Sequence, residues 1–311
     1  MNHFIALKYF SQGEIEKLID LAIKIKSNRS LYRDSLKGKS IGLIFEKPSL
    51  RTKTAFYIGA VQLGAEAIYY TPQEIKIGER ESVGDIAGTF SVYLDAVVLR
   101  TFSHDTILEF AKLSKIPIVN ALSDFFHPSQ VLADILTIKE AKGDIKKLKI
   151  VYAGDGNNVC NSLIHAFSIL GGNLTLSIPK GYGYGLKNKV LAEAKAQAEI
   201  SGAKISFNPS LSEAAKGADV LYTDVWTSMG KESERKKRKK AFKNFQINDK
   251  ILKAAKSDCI VMHCLPAHRG EEITDSVIDS KNSAVFKQAE NRLHAAKAIL
   301  VYLLKGNKAD K

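Results

Sequence analysis

"IGLIFEKPSLRTKTAF" (residues 41–56) passes from an unbroken apolar run through a short polar loop into a segment with helical spacing. Ile41 to Phe45 do not alternate with polar residues. The run therefore reads as a strand buried on both faces, not one with a wet side. Similar runs recur along the chain: AIYY (67–70), AVVLR (96–100), IPIVN (116–120), KIVYAG (149–154), LTLSIP (174–179), KISF (204–207), VLYTDV (220–225) and CIVMHC (259–264). Helical patterns separate them. Buried strands joined through helices predict an α/β protein of mostly parallel sheets flanked by helices.

A chain of 311 residues suits two domains. The polar, basic turn at Gly143–Lys147 separates a four-strand set from a five-strand set. The expected domains are therefore 1–143 and 144–285, with a C-terminal helix over 286–311 that packs back on the first. Ser11 followed by Glu14 is a capping box that opens a helix. Pro128 suits a first helical position and Gly143 a stop. In the last helix Ala289, Leu293, Ala296, Leu300 and Leu303 share one stripe.

The net charge is +13, with three cysteines, Cys160, Cys259 and Cys264. So few thiols, odd in number, fit a reducing cytoplasm. No apolar run is long enough to span a membrane, and MNHFIALKYF lacks the features of a secretory leader. The basic excess concentrates in KESERKKRKKAFKN (231–244), which reads as a solvated surface loop. A nucleic-acid interface would interleave aromatics for stacking, and only Phe242 and Phe245 are near. A net positive charge is equally compatible with small anionic substrates.

Several strand ends carry polar residues suited to a ligand. Ser49 reads as the N-cap of a helix whose first N–H groups, with Arg51, would bind an anion; a capped surface helix with solvated cations fits this stretch equally. Arg100 closes its strand at the same sheet edge. His127 at an N-cap, with Gln130 on the same face, could donate to one oxygen. The GDGNN turn (154–158) presents Asn157 and Asn158, whose amides suit a zwitterion; it lacks the third glycine of a dinucleotide fingerprint. Asp224 could take an ammonium, beside Ser228 and Met229. His263, Cys264 and His268 are close in sequence, but neighbours on a strand face opposite ways, so no shared metal is expected. Cys264 reads as a reactive thiol.

Taken in order, S-L-R-T (49–52), Arg100, H-P-S-Q (127–130), G-D-G-N-N (154–158), D-V-W-x-S-M-G (224–230), H-C-L-P (263–266) and Arg292 resemble the aspartate/ornithine carbamoyltransferase superfamily nearly end to end, on its ornithine branch. The resemblance implies transfer of a carbamoyl group from carbamoyl phosphate to ornithine, giving citrulline in arginine biosynthesis, with no cofactor and no metal. It implies that Ser49, Leu50, Arg51, Thr52, Arg100, His127, Gln130, Cys264, Leu265 and Arg292 bind carbamoyl phosphate. It gives Asn158, Asp224, Ser228 and Met229 to ornithine, with Arg51, His127, Asp224 and Cys264 as the catalytic set. It also implies a cytoplasmic homotrimer, or a multiple of one, in which a neighbour's loop carrying Lys76 reaches the phosphate. Lys76 stands where many relatives carry glutamine or histidine, and Lys53 where they carry arginine. Relatives acting on aspartate typically show H-P-L-P and lack S-M-G; acceptors such as putrescine or N-acetylornithine would share the phosphate half of the site.

Overall fold

Nine parallel strands form two sheets in the computed structural model, which describes residues 3–180, 185–228 and 230–306. The first sheet contains β1 (Ser40–Phe45), β2 (Glu66–Tyr70), β3 (Ala96–Arg100) and β4 (Ile118–Leu122), in the order β2-β1-β3-β4. The second contains β5 (Lys149–Ala153), β6 (Asn173–Ser177), β7 (Lys204–Phe207), β8 (Val220–Thr223) and β9 (Ile260–His263), in the order β7-β6-β5-β8-β9. The helices used below are α1 (Gln12–Ser27), α2 (Arg51–Gln62), α3 (Pro128–Lys142), α4 (Asn158–Leu170), α5 (Arg235–Phe242) and α6 (Val285–Lys305). This is the expected α/β class.

Burial on both faces holds for the inner strands but fails at two edges. β2 and β7 are largely exposed or half-buried. The other two edge strands are covered by extra backbone. Phe4 N–H donates to Ile118 O at 2.8 Å and Asn120 N–H to Phe4 O at 2.7 Å, extending the sheet past β4. On β9, Val261 N–H donates to Asn282 O and Ala284 N–H to Val261 O, each at 2.8 Å. Covering an edge removes its unpaired donors and acceptors. β4 begins after the IPIVN run does, because Pro117 has no N–H to give; its carbonyl instead accepts from Val97 at 3.0 Å.

The chain divides into two compact units, Met1–Leu136 with Glu290–Lys311, and Thr137–Ala289. The division falls inside α3 and α6, which run on without a break. From Glu290 onward α6 belongs to the first unit. There Lys26 Nζ donates to Asn291 Oδ1 at 2.7 Å, and Tyr302 Oη to Glu14 Oε1 at 3.1 Å. Ala295, Ala296, Ala298, Ile299, Leu300 and Val301 are all buried, so the helix is enclosed more widely than one stripe. The Ser11–Glu14 capping box is formed as read.

The basic stretch departs from its reading as a surface loop. It is helical across α5, and Arg238 and Phe242 are buried. Four residues apart, they share one helix face, and the remaining cations take the solvent side.

Both strand orders contain a reversal. After β2 the chain returns to place β3 on the other side of β1, and after β7 it returns to place β8 on the other side of β5. Crevices at such switch points, outside the carboxyl ends of strands, are where open α/β sheets bind ligands.

Candidate active site

In the first unit the switch point lies between β1 and β3, where Phe45 is in register with Arg100. Glu46 N–H donates to Arg100 O at 2.8 Å, and the Glu46 carboxylate accepts Phe102 N–H at 2.7 Å. These bonds clamp the loop after β1 to the loop after β3. Helix α2 then begins at Arg51 with Leu50 in the N-cap position and no side chain capping it. Ser49 is thus not the N-cap expected from sequence. Leu50 has helical angles (φ −77°, ψ −64°), and among the described residues the Ser49 hydroxyl accepts no hydrogen bond from the first turn of α2. The N-cap side chain makes no capping bond, and the first-turn N–H groups of a helix suit an anion.

Thr52, Arg100, His127, Gln130 and Arg292 are all buried in this unit. Arg292, from α6, donates to the Thr52 hydroxyl, joining positions 240 residues apart. Gln130 Nε2 donates to Asp134 Oδ1 at 2.8 Å, which fixes its amide. Pro128 is the first residue of α3, as read, with His127 just before it. Burial, and then the charges of Arg292 and Arg100, push His127 well below the usual histidine range. The imidazole is neutral at physiological pH. It can donate a hydrogen bond to a carbonyl oxygen without acting as a proton source.

Lys47 was given no role from sequence, yet it is buried in the same loop. Its ammonium lies 4.4 Å from the centroid of the Phe102 ring. Burial and the neighbouring Arg100 lower its pKa. Only its position directly after a buried strand could have flagged it. Lys53 lies over the Tyr69 ring, its ammonium 3.6 Å from the centroid. Lys76 is exposed with φ +44°, directly after the helical turn Pro72–Ile75.

In the second unit the switch point lies between β5 and β8, where Ala153 is in register with Thr223. Asn157 caps α4, its Oδ1 accepting Val159 N–H at 3.0 Å and Cys160 N–H at 3.1 Å. That leaves its Nδ2 to donate to Asp224 Oδ2 at 2.7 Å. Asp224 Oδ1 accepts Val225 N–H at 2.8 Å and the Cys264 thiol at 3.0 Å. Three donors thus hold one buried carboxylate at the end of β8. Asn158 begins α4 one residue past the cap, and Ser228 is half-buried, its carbonyl accepting Lys231 N–H at 3.0 Å. Met229 lies outside the described residues.

The H-C-L-P turn follows β9. His263 Nδ1 accepts Leu265 N–H at 2.9 Å, so the ring proton sits on Nε2, 3.0 Å from Glu272 Oε1. Leu265 has φ +58°, which is costly for a branched residue and is held here by that bond. The expectation that His263 and Cys264 diverge is corrected. β9 ends at His263 and the chain turns, so donor atoms of Asp224, His263 and Cys264 lie within 4.8 Å of one another.

Arg238 is the second residue that sequence reasoning missed. Its guanidinium, 1% exposed, donates to Asp155 Oδ2 at 2.9 Å, Trp226 O at 3.0 Å and Glu234 Oε2 at 2.8 Å. Trp226 also stacks on Phe242, with centroids 5.9 Å apart. Helix α5 therefore ties the GDGNN turn to the loop after β8. Burial raises the Asp155 carboxyl to about 6, against the opposing pull of Arg238 and Lys231. Within a run of like charges, sequence offered no way to single out Arg238.

The chain is similar to known proteins along nearly its whole length. A family profile described as "Aspartate/ornithine carbamoyltransferase, carbamoyl-P binding domain" matches residues 2–140, and its "Asp/Orn binding domain" partner matches residues 146–303. An ornithine carbamoyltransferase of Archaeoglobus fulgidus is 46% identical, over 98% of this chain and 98% of its own. A protein named "Ornithine carbamoyltransferase, catabolic" from Thermoplasma acidophilum is also 46% identical, covering 94% and 95%. The solved ornithine carbamoyltransferase from Pyrococcus furiosus superposes with a TM-score of 0.94 at 43% identity, covering 98% and 97%.

Proposed function

The chain belongs to the aspartate/ornithine carbamoyltransferase family, and on that footing we propose that it transfers the carbamoyl group of carbamoyl phosphate to the δ-amine of L-ornithine. The products are L-citrulline and phosphate. The observation that carries the amino-acid half is the Asp224 carboxylate, held by Asn157 and Cys264 at the end of β8. A carboxylate so placed orients a cationic amine. The anion half rests on the cations and amides gathered where β1 and β3 end.

Arg51, Arg100, Arg292 and the first turn of α2 bind the phosphoryl group, with Ser49, Leu50 and Thr52 supplying the loop. Guanidinium groups suit phosphate through paired N–H donors. Neutral His127 and Gln130 address the carbamoyl carbonyl, and the Cys264–Leu265 turn addresses the carbamoyl group. Asn158, Ser228 and Met229 join Asp224 in holding ornithine. The uncharged δ-amine attacks the carbonyl carbon, and the π electrons move onto oxygen. As the oxyanion collapses, the carbon–oxygen bond to phosphate breaks. Phosphate leaves with that electron pair and takes one proton from the nitrogen. A donor aimed at such an oxyanion contributes about 2.7–4 kcal/mol.

An alkylamine has a pKa of about 10, so it must first shed a proton. The Cys264 thiol donates to Asp224, and a thiolate there would face a carboxylate. We therefore assign Cys264 to holding Asp224, with the phosphate oxygen as the final proton acceptor. The proposal includes the biosynthetic direction, a cytoplasmic location and a homotrimer in which Lys76 reaches a neighbour's phosphate. Among the described residues no helix is long and apolar enough to cross a membrane. The test is citrulline formation, with putrescine, N-acetylornithine and aspartate offered beside ornithine. Preference for another amine, or no turnover with any, refutes the assignment. Citrulline cleavage outpacing citrulline synthesis refutes the direction, and a monomer in solution refutes the trimer.

A further inference from the structure

We propose that His268, Glu271 and Glu272 form a binding site for a zinc-type divalent cation, separate from the substrate residues. One nitrogen of His268 and one carboxylate oxygen from each glutamate lie within 4.8 Å of one another. The turn over 268–273 brings them together: Glu271 N–H donates to His268 O and Gly270 N–H to Ile273 O, each at 2.8 Å.

The second observation is an unsatisfied buried acceptor. Glu272 is completely buried. Its Oε1 accepts from His263 Nε2 at 3.0 Å and from His268 N–H at 2.6 Å. Its Oε2 is also buried and takes no hydrogen bond among the described residues; the same holds for His268 Nδ1. A buried carboxylate oxygen without a donor is costly. A cation held by the cluster would supply the missing partner.

Glu271 completes the set. Its carboxylate is met by Arg235 at 2.8 Å and Lys239 at 3.5 Å, from side chains that are 57% and 60% exposed. These reach in from solvent and can be exchanged for a metal at little cost. The donor chemistry selects the ion. One imidazole and two carboxylates suit zinc or cobalt, with water completing the shell. Calcium and magnesium prefer oxygen donors throughout.

Thiol-based binding at Asp224, His263 and Cys264 is the rival, and the test separates the two. The full chain and its Cys264→Ser variant are titrated with Zn²⁺ by calorimetry and with Co²⁺ by absorbance. Both should bind one equivalent, and neither Co²⁺ spectrum should show a thiolate charge-transfer band. His268→Ala and Glu271→Gln should each weaken zinc binding at least tenfold. If His268→Ala does not fold, Glu271→Gln alone decides. Failure to bind zinc, loss of binding in Cys264→Ser, or unchanged binding in the folded His268 and Glu271 variants would overturn the site.

Discussion

Replacing Arg238 with methionine removes the cation from a buried pair whose side chains are 1% and 4% exposed. Breaking such a pair from one side costs about 3–5 kcal/mol, because the other charge stays buried. Asp155 already sits at about 6 through burial, with Arg238 holding it down. Without Arg238 its pKa rises further. A carboxyl raised in the folded state binds more protons there than when unfolded, so stability falls as pH rises through the window between its ordinary range and the raised value. In the variant that window extends upward. The loss should be near 3 kcal/mol at pH 8 and shrink by about 1.4 kcal/mol for each pH unit over which Asp155 takes up its proton. Urea unfolding at pH 8 and pH 6 measures it, followed by fluorescence of Trp226, the only tryptophan. Because Trp226 O is an Arg238 acceptor, the probe lies within the affected region. Removing both charges, Arg238→Met with Asp155→Asn, should recover most of the loss. A single variant as stable as the parent at pH 8, or a double variant no better than the single, refutes the reasoning.

Arg51→Ala should cut citrulline formation more than tenfold, read in a steady-state assay. Asp224→Asn should raise the ornithine requirement while calorimetry shows carbamoyl phosphate binding nearly intact, since the new amide nitrogen must face either the Asn157 donor or those of Val225 and Cys264. An unchanged ornithine KM removes Asp224 from the site. Lys47→Met keeps the stem over Phe102 but removes the charge beside Arg100; the KM for carbamoyl phosphate should rise several-fold, with ornithine unaffected. His294, completely buried in α6, is pushed down to about 4, chiefly by burial. The unfolded chain therefore binds more protons between pH 6.5 and 4, and stability falls as the medium is acidified through that window. Melting temperatures across it should fall less steeply in His294→Gln.

The local elements, and the strand ends that matter, were legible from the chain's residues alone. Apolar runs without alternation marked the inner strands, the Ser11–Glu14 box and Pro128 marked helix starts, and the polar residues at the ends of β1, β3, β5, β8 and β9 marked the candidate site. Those features depend on neighbours within a turn or a strand, which periodicity can register. Tertiary structure decided which strand ends meet. The orders β2-β1-β3-β4 and β7-β6-β5-β8-β9 set Arg100 beside Phe45 and brought Asn157 to Asp224. The N-cap position of Asn157 turned its amide nitrogen to that carboxylate. Arg292 reached Thr52, and one arginine in a basic run became buried against Asp155, across separations of 240 and 83 residues. Such pairings follow from closing long loops to bury both sheets and satisfy their charges, and no short window of sequence contains both partners.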